Sequence, residues 1–224
     1  MAPGPILVTG GSGQVGCALV RLAAERGIAV EAPGRERLDL ADAAALTTAV
    51  TARPWRAVIN CAAYTAVDRA ESEPDLARAI NAAAPAVLAA ATARAGIPLL
   101  HVSTDYVFDG TKPEPYGEND PTAPLGVYGV TKLAGEEAIR AAHPNHAIVR
   151  TAWVLSAGGG NFLDTMLRLA ATREQVSVVD DQRGCPTNAG DVAAALLAVA
   201  ERLGARSGTW HFVNRGNATW HALA

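Results

Sequence analysis

The chain has 224 residues, half of them apolar and 18% charged, with a formal net charge of −3. This composition predicts one globular α/β domain without a nucleic-acid partner, since no basic stripe runs along the chain. No signal-peptide pattern or membrane-length apolar run is visible, so we expect a cytoplasmic protein whose three scattered cysteines are reduced.

Short apolar runs alternate along the chain with helical patterns. The predicted strands are 5–10, 28–32, 57–60, 98–104, 146–154, 176–180 and 210–214. The predicted helices are 14–26, 42–52, 75–95, 128–142, 161–173 and 189–203. Apolar strands separated by helices predict a doubly wound parallel sheet covered on both faces, a Rossmann-like α/β fold. The Pro- and Gly-rich stretch 109–126 is predicted to be one long loop.

A glycine-rich stretch, TGGSGQVG, follows the first predicted strand and opens the first helix. It contains Gly11-x-Gly13-x-x-Gly16 and the overlapping series Gly10-x-x-Gly13-x-x-Gly16. Glycines permit a tight turn and let the backbone approach a pyrophosphate, while the helix N-terminus favours negative charge. This strand–loop–helix context predicts a dinucleotide site, with a plain glycine-rich turn as the alternative.

The residues after the second predicted strand bear on which dinucleotide is bound. An acid directly after this strand would favour the ribose of NAD, but Arg35 and Arg37 follow instead. The planar fork of an arginine can pair with a 2′-phosphate, so Arg35 favours NADPH, with NADH as an alternative. A solvated surface arginine is the competing interpretation. Asp39 and Leu40 are placed to flank the adenine.

Tyr128 and Lys132 lie four residues apart at the start of a predicted helix, so they share one face. An ammonium beside the phenol is expected to lower the pKa of Tyr128. Thr104 and Asp105 fall at the end of the fourth predicted strand, where open α/β sheets bind ligands. Thr104 is predicted to hold a substrate carbonyl while Tyr128 donates a proton and a nicotinamide delivers hydride. For the Tyr128/Lys132 pair the alternative is an exposed helical turn. For Thr104 it is a simple strand-end hydroxyl, and for Asp105 it is a turn-forming aspartate.

The glycine loop, the strand-end threonine and Tyr-x-x-x-Lys, in that order, resemble the short-chain dehydrogenase/reductase superfamily. A finer set of strings, among them NCAAYTAVDRAE, STDYVFDG, YGVTK, RTAWV and DQRGCPT, is similar to the dTDP-4-dehydrorhamnose reductase family over essentially the whole chain. The resemblance implies reduction of the C4 keto group of dTDP-4-dehydro-β-L-rhamnose by NADPH or NADH. It also implies a dinucleotide-binding domain at 1–154 and a partial substrate lobe at 155–224, interleaved with the last elements of the sheet.

The resemblance implies roles for individual residues. Tyr128 matches the proton donor, Lys132 its partner and Thr104 the third catalytic position, and the first two also contact the cofactor. The other positions that match cofactor-contacting motifs of the family are Gly10, Gly13, Gln14, Val15, Asp39, Leu40, Ala62, Ala63 and Tyr64. The glycine loop and the 2′-phosphate argument add Gly11, Ser12 and Arg35 as predicted cofactor contacts. The positions near the sugar nucleotide are Thr104, Asp105 and Trp153, although Trp153 alone is equally suited to a core.

Three departures from the family pattern qualify the resemblance. Family members usually run on for several tens of residues past the position of Ala224, so part of the sugar-binding lobe is expected to be missing or abbreviated. Leu155 stands where a tyrosine is more usual. Some members hold magnesium at a subunit contact, which leaves a homodimer open, but QVGCALV carries no acid there and we expect no metal.

Two rival functions remain open. Sugar-nucleotide epimerases and dehydratases share the fold and the Tyr/Lys pair, but related dehydratases place Asp-Glu after the strand-end threonine. This chain has Asp105-Tyr106, which favours net reduction. The regulatory subunit of methionine adenosyltransferase also resembles this family and binds nucleotides without catalysis. The intact Tyr128, Lys132 and Thr104 favour an enzyme.

Overall fold

A computed structural model describes residues 4–203 and 207–224 of the chain. Its strands are β1 (Ile6–Thr9), β2 (Val30–Glu31), β3 (Ala57–Asn60), β4 (Leu99–Thr104), β5 (His146–Thr151), β6 (Val154–Leu155), β7 (Arg183–Gly184), β8 (Thr187–Asn188), β9 (Gly208–His211) and β10 (Ala218–Thr219). Its helices are α1 (Gln14–Glu25), α2 (Ala43–Thr51), α3 (Val67–Ala70), α4 (Pro74–Arg78), α5 (Ala84–Ala95), α6 (Val127–Ala142), α7 (Phe162–Ala170), α8 (Ala189–Arg202) and α9 (Trp220–Leu223).

The main sheet has six parallel strands in the order β2-β1-β3-β4-β5-β9. From β1 the chain first crosses to β2 on one side and then returns to β3 on the other. The topological switch point therefore lies between β1 and β3, where open α/β sheets form their ligand crevice. The prediction of a doubly wound parallel sheet is confirmed.

Apolar side chains fill both faces of this sheet, whose strands β1, β3 and β5 are buried throughout and whose edge strands β2 and β9 are half-buried. On one face, Ile6 and Val8 of β1 pack with α1 and α8. On the other face, Leu7 packs with α2, α5 and α6. Since α8 and β9 belong to this core and sheet, residues 155–224 are interwoven with the first half of the chain. Their assignment to a substrate lobe stays a prediction.

The predicted helix 75–95 is a continuous helical segment, Pro74–Ala95, with a π-helical turn at Ala79–Ala83 between α4 and α5. Gly96 ends it in the left-handed conformation, at φ +66°. By length and composition alone it is the one helix within the described ranges that is apolar enough to cross a membrane. Its contacts with α2, α6 and β4 are those of a core helix.

Two strand predictions need correction. Residues 176–180 form no strand, and Val176 and Val179 are exposed. A β-branched run becomes a strand only where a neighbouring strand offers backbone partners, and here β9 occupies the sheet edge beside β5 instead. The predicted strand 146–154 breaks after Thr151, because Trp153 adopts a positive φ of 45° and turns the chain into the separate strand β6. Residues 109–126 form the predicted irregular loop.

Candidate functional site

A cleft of about 840 Å³ opens at the carboxyl ends of β1, β3, β4 and β5, at the switch point of the sheet. Every residue that the sequence predicts for catalysis, cofactor or substrate lines this one cleft. The structure therefore brings the predicted site residues together, while their individual roles stay predictions.

The glycine loop forms the floor of the cleft and owes its shape to close backbone approaches. Gly10 has a φ of +75°, and a side chain there would lie 2.5 Å from the backbone nitrogen of Ala62. A Cβ on Gly16 would lie 2.1 Å from the Gly10 carbonyl oxygen, so the first turn of α1 packs directly on the loop. By contrast, a Cβ on Gly13 would meet only that carbonyl, at 3.5 Å. The Gly13 backbone is therefore open to the cleft, as pyrophosphate binding requires.

Gln14 joins the glycine loop to a distant segment. Its amide nitrogen donates to the Val154 carbonyl at 3.2 Å. Its carbonyl oxygen accepts from the Ser156 hydroxyl at 2.9 Å and from the Asn161 amide at 2.7 Å. Asn161 in turn caps α7. The start of α1 and the loop that leads to α7 are thus held as one unit.

Arg35 and Asp39 form one rim of the cleft and bond to each other at 3.3 Å. The side chain of Arg35 is 77% exposed, so its guanidinium can reach a ligand at low cost. The last residue of β2, Glu31, is an acid, but it pairs with Arg37 and Arg53 and does not line the cleft. The carboxylate that would select a ribose 2′-hydroxyl is therefore turned away.

Ala62, Ala63 and Tyr64 follow β3 and form a second wall. The backbone N–H of Tyr64 donates to the Asn81 side chain at 2.8 Å, and the Asn81 amide returns a bond to the Tyr64 carbonyl at 3.1 Å. Asn81 lies in the π-helical turn, which aims it at this wall. The Tyr64 hydroxyl donates to Glu73 at 2.5 Å. These contacts are partly buried, and the paired hydrogen bonds between Tyr64 and Asn81 hold the wall in place.

Tyr128 and Thr104 meet at the inner end of the cleft. Burial raises the pKa of Tyr128 to about 12, a shift that the nearby Thr104 hydroxyl partly opposes through hydrogen bonding. Thr104 also donates to the Asp105 carboxylate at 3.0 Å. Burial raises the pKa of Asp105 above its ordinary range as well. The inner end of the cleft therefore favours protonated, uncharged groups.

Lys132 is 1% exposed and lies one turn after Tyr128 on α6. Its amine donates to the Val102 carbonyl at 2.8 Å and lies 3.2 Å from Nε2 of His101. The expectation that Lys132 lowers the pKa of Tyr128 is wrong for this arrangement, because burial controls the phenol and the amine is bonded elsewhere. Sequence spacing places two residues on one face but does not direct the end of a long side chain.

Several residues beyond the sequence predictions hold α6 in place. Glu136 is fully buried and accepts from Arg150 at 2.9 and 2.7 Å and from the Ser103 hydroxyl at 2.5 Å. The Glu71 carboxylate accepts the Val127 N–H at 2.8 Å and caps the helix. These contacts tie α6, and with it Tyr128, to strands β4 and β5. Their only sequence signal is a set of charged residues within otherwise apolar elements.

Trp153 closes the outer end of the cleft. Its indole stacks on Trp220 of α9, with ring centroids 3.6 Å apart and 10° between the planes, and Phe162 leans on the same ring. A Cβ on Gly184 would lie 2.3 Å from the Trp153 indole, so β7 packs directly against this ring. Thr219 caps α9, because its hydroxyl accepts a hydrogen bond from the Ala222 N–H. The aromatic cluster gives Trp153 both a packing role and a face in the cleft.

Comparisons with known proteins place these features in context. A family model described as RmlD substrate binding domain matches residues 4–224. The chain is 50% identical over 222 residues to a dTDP-4-dehydrorhamnose reductase from Streptomyces griseus, covering 97% of this chain and 73% of the relative. It is 49% identical over 216 residues to one from Mycobacterium tuberculosis H37Rv, covering 94% and 70%.

Solved structures of similar proteins share the fold. A dTDP-4-dehydrorhamnose reductase from Clostridium acetobutylicum superimposes with a TM-score of 0.93 at 39% identity, covering 98% of this chain and 77% of that one. One from Bacillus anthracis, solved in complex with NADP, has the same TM-score at 36% identity and the same coverage.

Proposed function

The chain belongs to the dTDP-4-dehydrorhamnose reductase family of NAD(P)H-dependent oxidoreductases, and we propose that it reduces the C4 keto group of dTDP-4-dehydro-β-L-rhamnose. The observation that carries this proposal is the convergence of the glycine loop, Thr104, Tyr128 and Lys132 on one cleft at the switch point of the sheet. A cytoplasmic location and assembly as a homodimer are further parts of the proposal.

The residues of the cleft fit a dinucleotide. The backbone around Gly13 is open, and α1 begins without a side-chain cap, so its first N–H groups are available to phosphate oxygens. Arg35 would pair with a 2′-phosphate, which favours NADPH over NADH, and Lys132 would contact the nicotinamide ribose. When bound, the reduced nicotinamide supplies the hydride.

Tyr128 supplies the proton in this proposal. A phenol with a pKa of about 12 keeps its proton at neutral pH, which is the form that reduction requires. The alkoxide that develops at C4 is a stronger base than a phenolate, so proton transfer from Tyr128 runs downhill. Thr104 orients the carbonyl oxygen beside the phenol and adds a second donor to the developing charge. Asp105 and Trp153 would contact the sugar nucleotide.

The test is the oxidation of NADPH with and without dTDP-4-dehydrorhamnose. We expect turnover by the natural chain and a loss on the order of 10³-fold in Tyr128→Phe, with the affinity for NADPH retained. Tyr106→Phe is the matched control, because this ring packs edge-on against Tyr128 at 5.4 Å and its side chain is partly exposed. The control should keep most of the activity.

Other results would assign the chain differently. NADPH binding without turnover would favour a nucleotide-binding regulatory protein. An epimerised or dehydrated sugar without net consumption of NADPH would favour an epimerase or dehydratase. Equal losses in the two tyrosine variants would remove Tyr128 as the proton donor.

A further inference from the structure

A chain of polar side chains crosses beneath the cleft, from the first strand to α6. The Thr9 hydroxyl donates to Oδ1 of Asn60 at 2.6 Å. Nδ2 of Asn60 lies 3.0 Å from Nδ1 of His101, and Nε2 of His101 lies 3.2 Å from Nζ of Lys132. All four residues are at most 1% exposed. Buried polar atoms must match donors with acceptors, so the direction of each bond can be worked out.

A backbone group fixes the direction of the whole chain. The N–H of Ala62 donates to Oδ1 of Asn60 at 3.1 Å, and a backbone N–H cannot act as an acceptor. Oδ1 is therefore the oxygen, and the Asn60 NH₂ group must face His101. Nδ1 of His101 then accepts, which leaves the proton of the neutral imidazole on Nε2, pointing at Lys132. An ammonium carries three donors and no acceptor, so it could not accept a hydrogen bond from this N–H.

We propose that His101 is a positioning residue that stabilises the neutral amine of Lys132 relative to the ammonium, because the lone pair of the neutral amine accepts the Nε2–H while one amine N–H donates to the Val102 carbonyl. An anionic dinucleotide in the cleft would shift this balance towards the ammonium, with the proton taken from water. This second step rests on the proposed function, whereas the first does not.

The surroundings of Lys132 agree with an amine that loses its proton more easily than an ordinary lysine does. Burial lowers the pKa of Lys132 to about 8, although the charge of Glu136 opposes this shift. That carboxylate is already paired with Arg150. Cys61 also faces the amine, but burial raises the pKa of its thiol to about 12, so it stays neutral. Burial is the main reason that the pKa of His101 lies well below its usual range, and the charge of a protonated Lys132 would lower it further.

The remaining titratable neighbour on α6 is Tyr128, which is buried and keeps its proton at neutral pH. A nearby anion favours the charged form of an amine. His101 therefore favours the neutral amine before the dinucleotide binds, and the dinucleotide favours the ammonium afterwards.

The lysine content of the chain makes the test direct. Only Lys112 and Lys132 are lysines, so a chain labelled with isotopic lysine gives two NMR signals, and Lys112→Arg assigns them. We expect Lys132 to titrate near pH 8 rather than at the ordinary lysine value of about 10.4. We expect ¹⁵N NMR to find His101 neutral with its proton on Nε2. An ammonium that persists above pH 10, or a proton on Nδ1, would overturn the proposal.

A single substitution should exchange donor and acceptor in the two hydrogen bonds of His101, those to Asn60 and to Lys132. In Asn60→Asp the carboxylate still accepts hydrogen bonds from Ala62 and Thr9. Because it has no NH₂ group, it also accepts a hydrogen bond from His101, whose proton must then lie on Nδ1. Nε2 then becomes an acceptor for an ammonium, and the titration of Lys132 should move to higher pH. Thr9→Val is the matched control, because it removes a bond to the same oxygen without reversing any other. An unchanged titration midpoint of Lys132 in a folded Asn60→Asp variant would overturn the proposal. If that variant does not fold, the measurements on the natural chain decide.

The coupling to the cofactor is tested on the same signals. Addition of NADPH should raise the titration midpoint of Lys132, and an unchanged midpoint with NADPH demonstrably bound would overturn the coupling. Failure of NADPH to bind would instead contradict the proposed function. In that case the tautomer of His101 and the titration of Lys132 in the free chain still decide whether His101 favours the neutral amine.

Discussion

The ion pair between Glu136 and Arg150 offers a sharp test of how the site is held. Glu136 is fully buried, and Arg150 is 3% exposed. Two hydrogen bonds join their charged ends, and Ser103 donates a third to the same carboxylate. In Glu136→Gln the shape is kept but the charge is lost, so the Arg150 cation is left buried without its counterion. Removing one partner of a buried pair costs about 3–5 kcal/mol.

We expect the lower end of that range, about 3 kcal/mol of unfolding free energy, because glutamine retains one acceptor oxygen. For a chain of this length the unfolding midpoint should fall by about 6–12 °C. Arg140→Gln is the matched control, since Arg140 bonds to the same carboxylate but its side chain is 36% exposed. The control should cost less than about 1 kcal/mol. Urea unfolding followed by circular dichroism measures both variants.

Equal losses in the two variants, or a loss below about 1 kcal/mol in Glu136→Gln, would refute this reasoning. A pH series supplies a second check. Burial tends to raise the pKa of Glu136, but the bonds from Arg150 and Ser103 prevail and hold it below its usual range. A depressed carboxyl pKa stabilises the fold above the unfolded value of about 4.3, and this stability is lost as the pH falls through the folded value. The difference between the natural chain and Glu136→Gln should therefore shrink below about pH 4.

Three further outcomes follow from the geometry. Arg35→Ala should weaken NADPH binding about fivefold in a fluorescence titration and leave NADH unchanged, because only the 2′-phosphate uses the guanidinium; equal effects would contradict the assignment. Gly13→Ala should fold normally but lose NADPH affinity, whereas Gly16→Ala should also lower the thermal midpoint, since only its new Cβ meets backbone at 2.1 Å. A thiol reagent at pH 8 should label exposed Cys17 and spare Cys61, whose pKa burial raises to about 12; mass spectrometry that finds Cys61 labelled first would contradict this.

The main sheet was predictable because its strands are apolar runs bounded by glycine, proline and helical patterns. The misassigned strand 176–180 has the same local signal, but pairing depends on a neighbour that no local pattern reveals. The two-residue strands β7, β8 and β10 are too short to produce any periodicity. The break at Trp153 could not be foreseen, since a positive φ at tryptophan is set by tertiary contacts rather than by propensity.

The cleft was predictable for a different reason. Its residues follow strand ends, and parallel strands deliver their carboxyl ends to one edge of the sheet. Asn60 and His101 were missed because they belong to buried strands, where the neighbouring apolar residues mark them as core. A polar residue within a fully buried strand is itself a signal, because it must find a partner there. The pKa of Tyr128 was predicted in the wrong direction since its spacing from Lys132 says nothing about burial.

The three bonds made by Gln14 have a consequence for protein engineering. They join the first helix to Val154, Ser156 and Asn161, some 140 residues later in the chain. A chimera that takes its glycine-rich segment from one homologue and its later half from another would mismatch these contacts. Segments 10–16 and 154–161 should therefore be exchanged as a set, although no continuous stretch of sequence contains both.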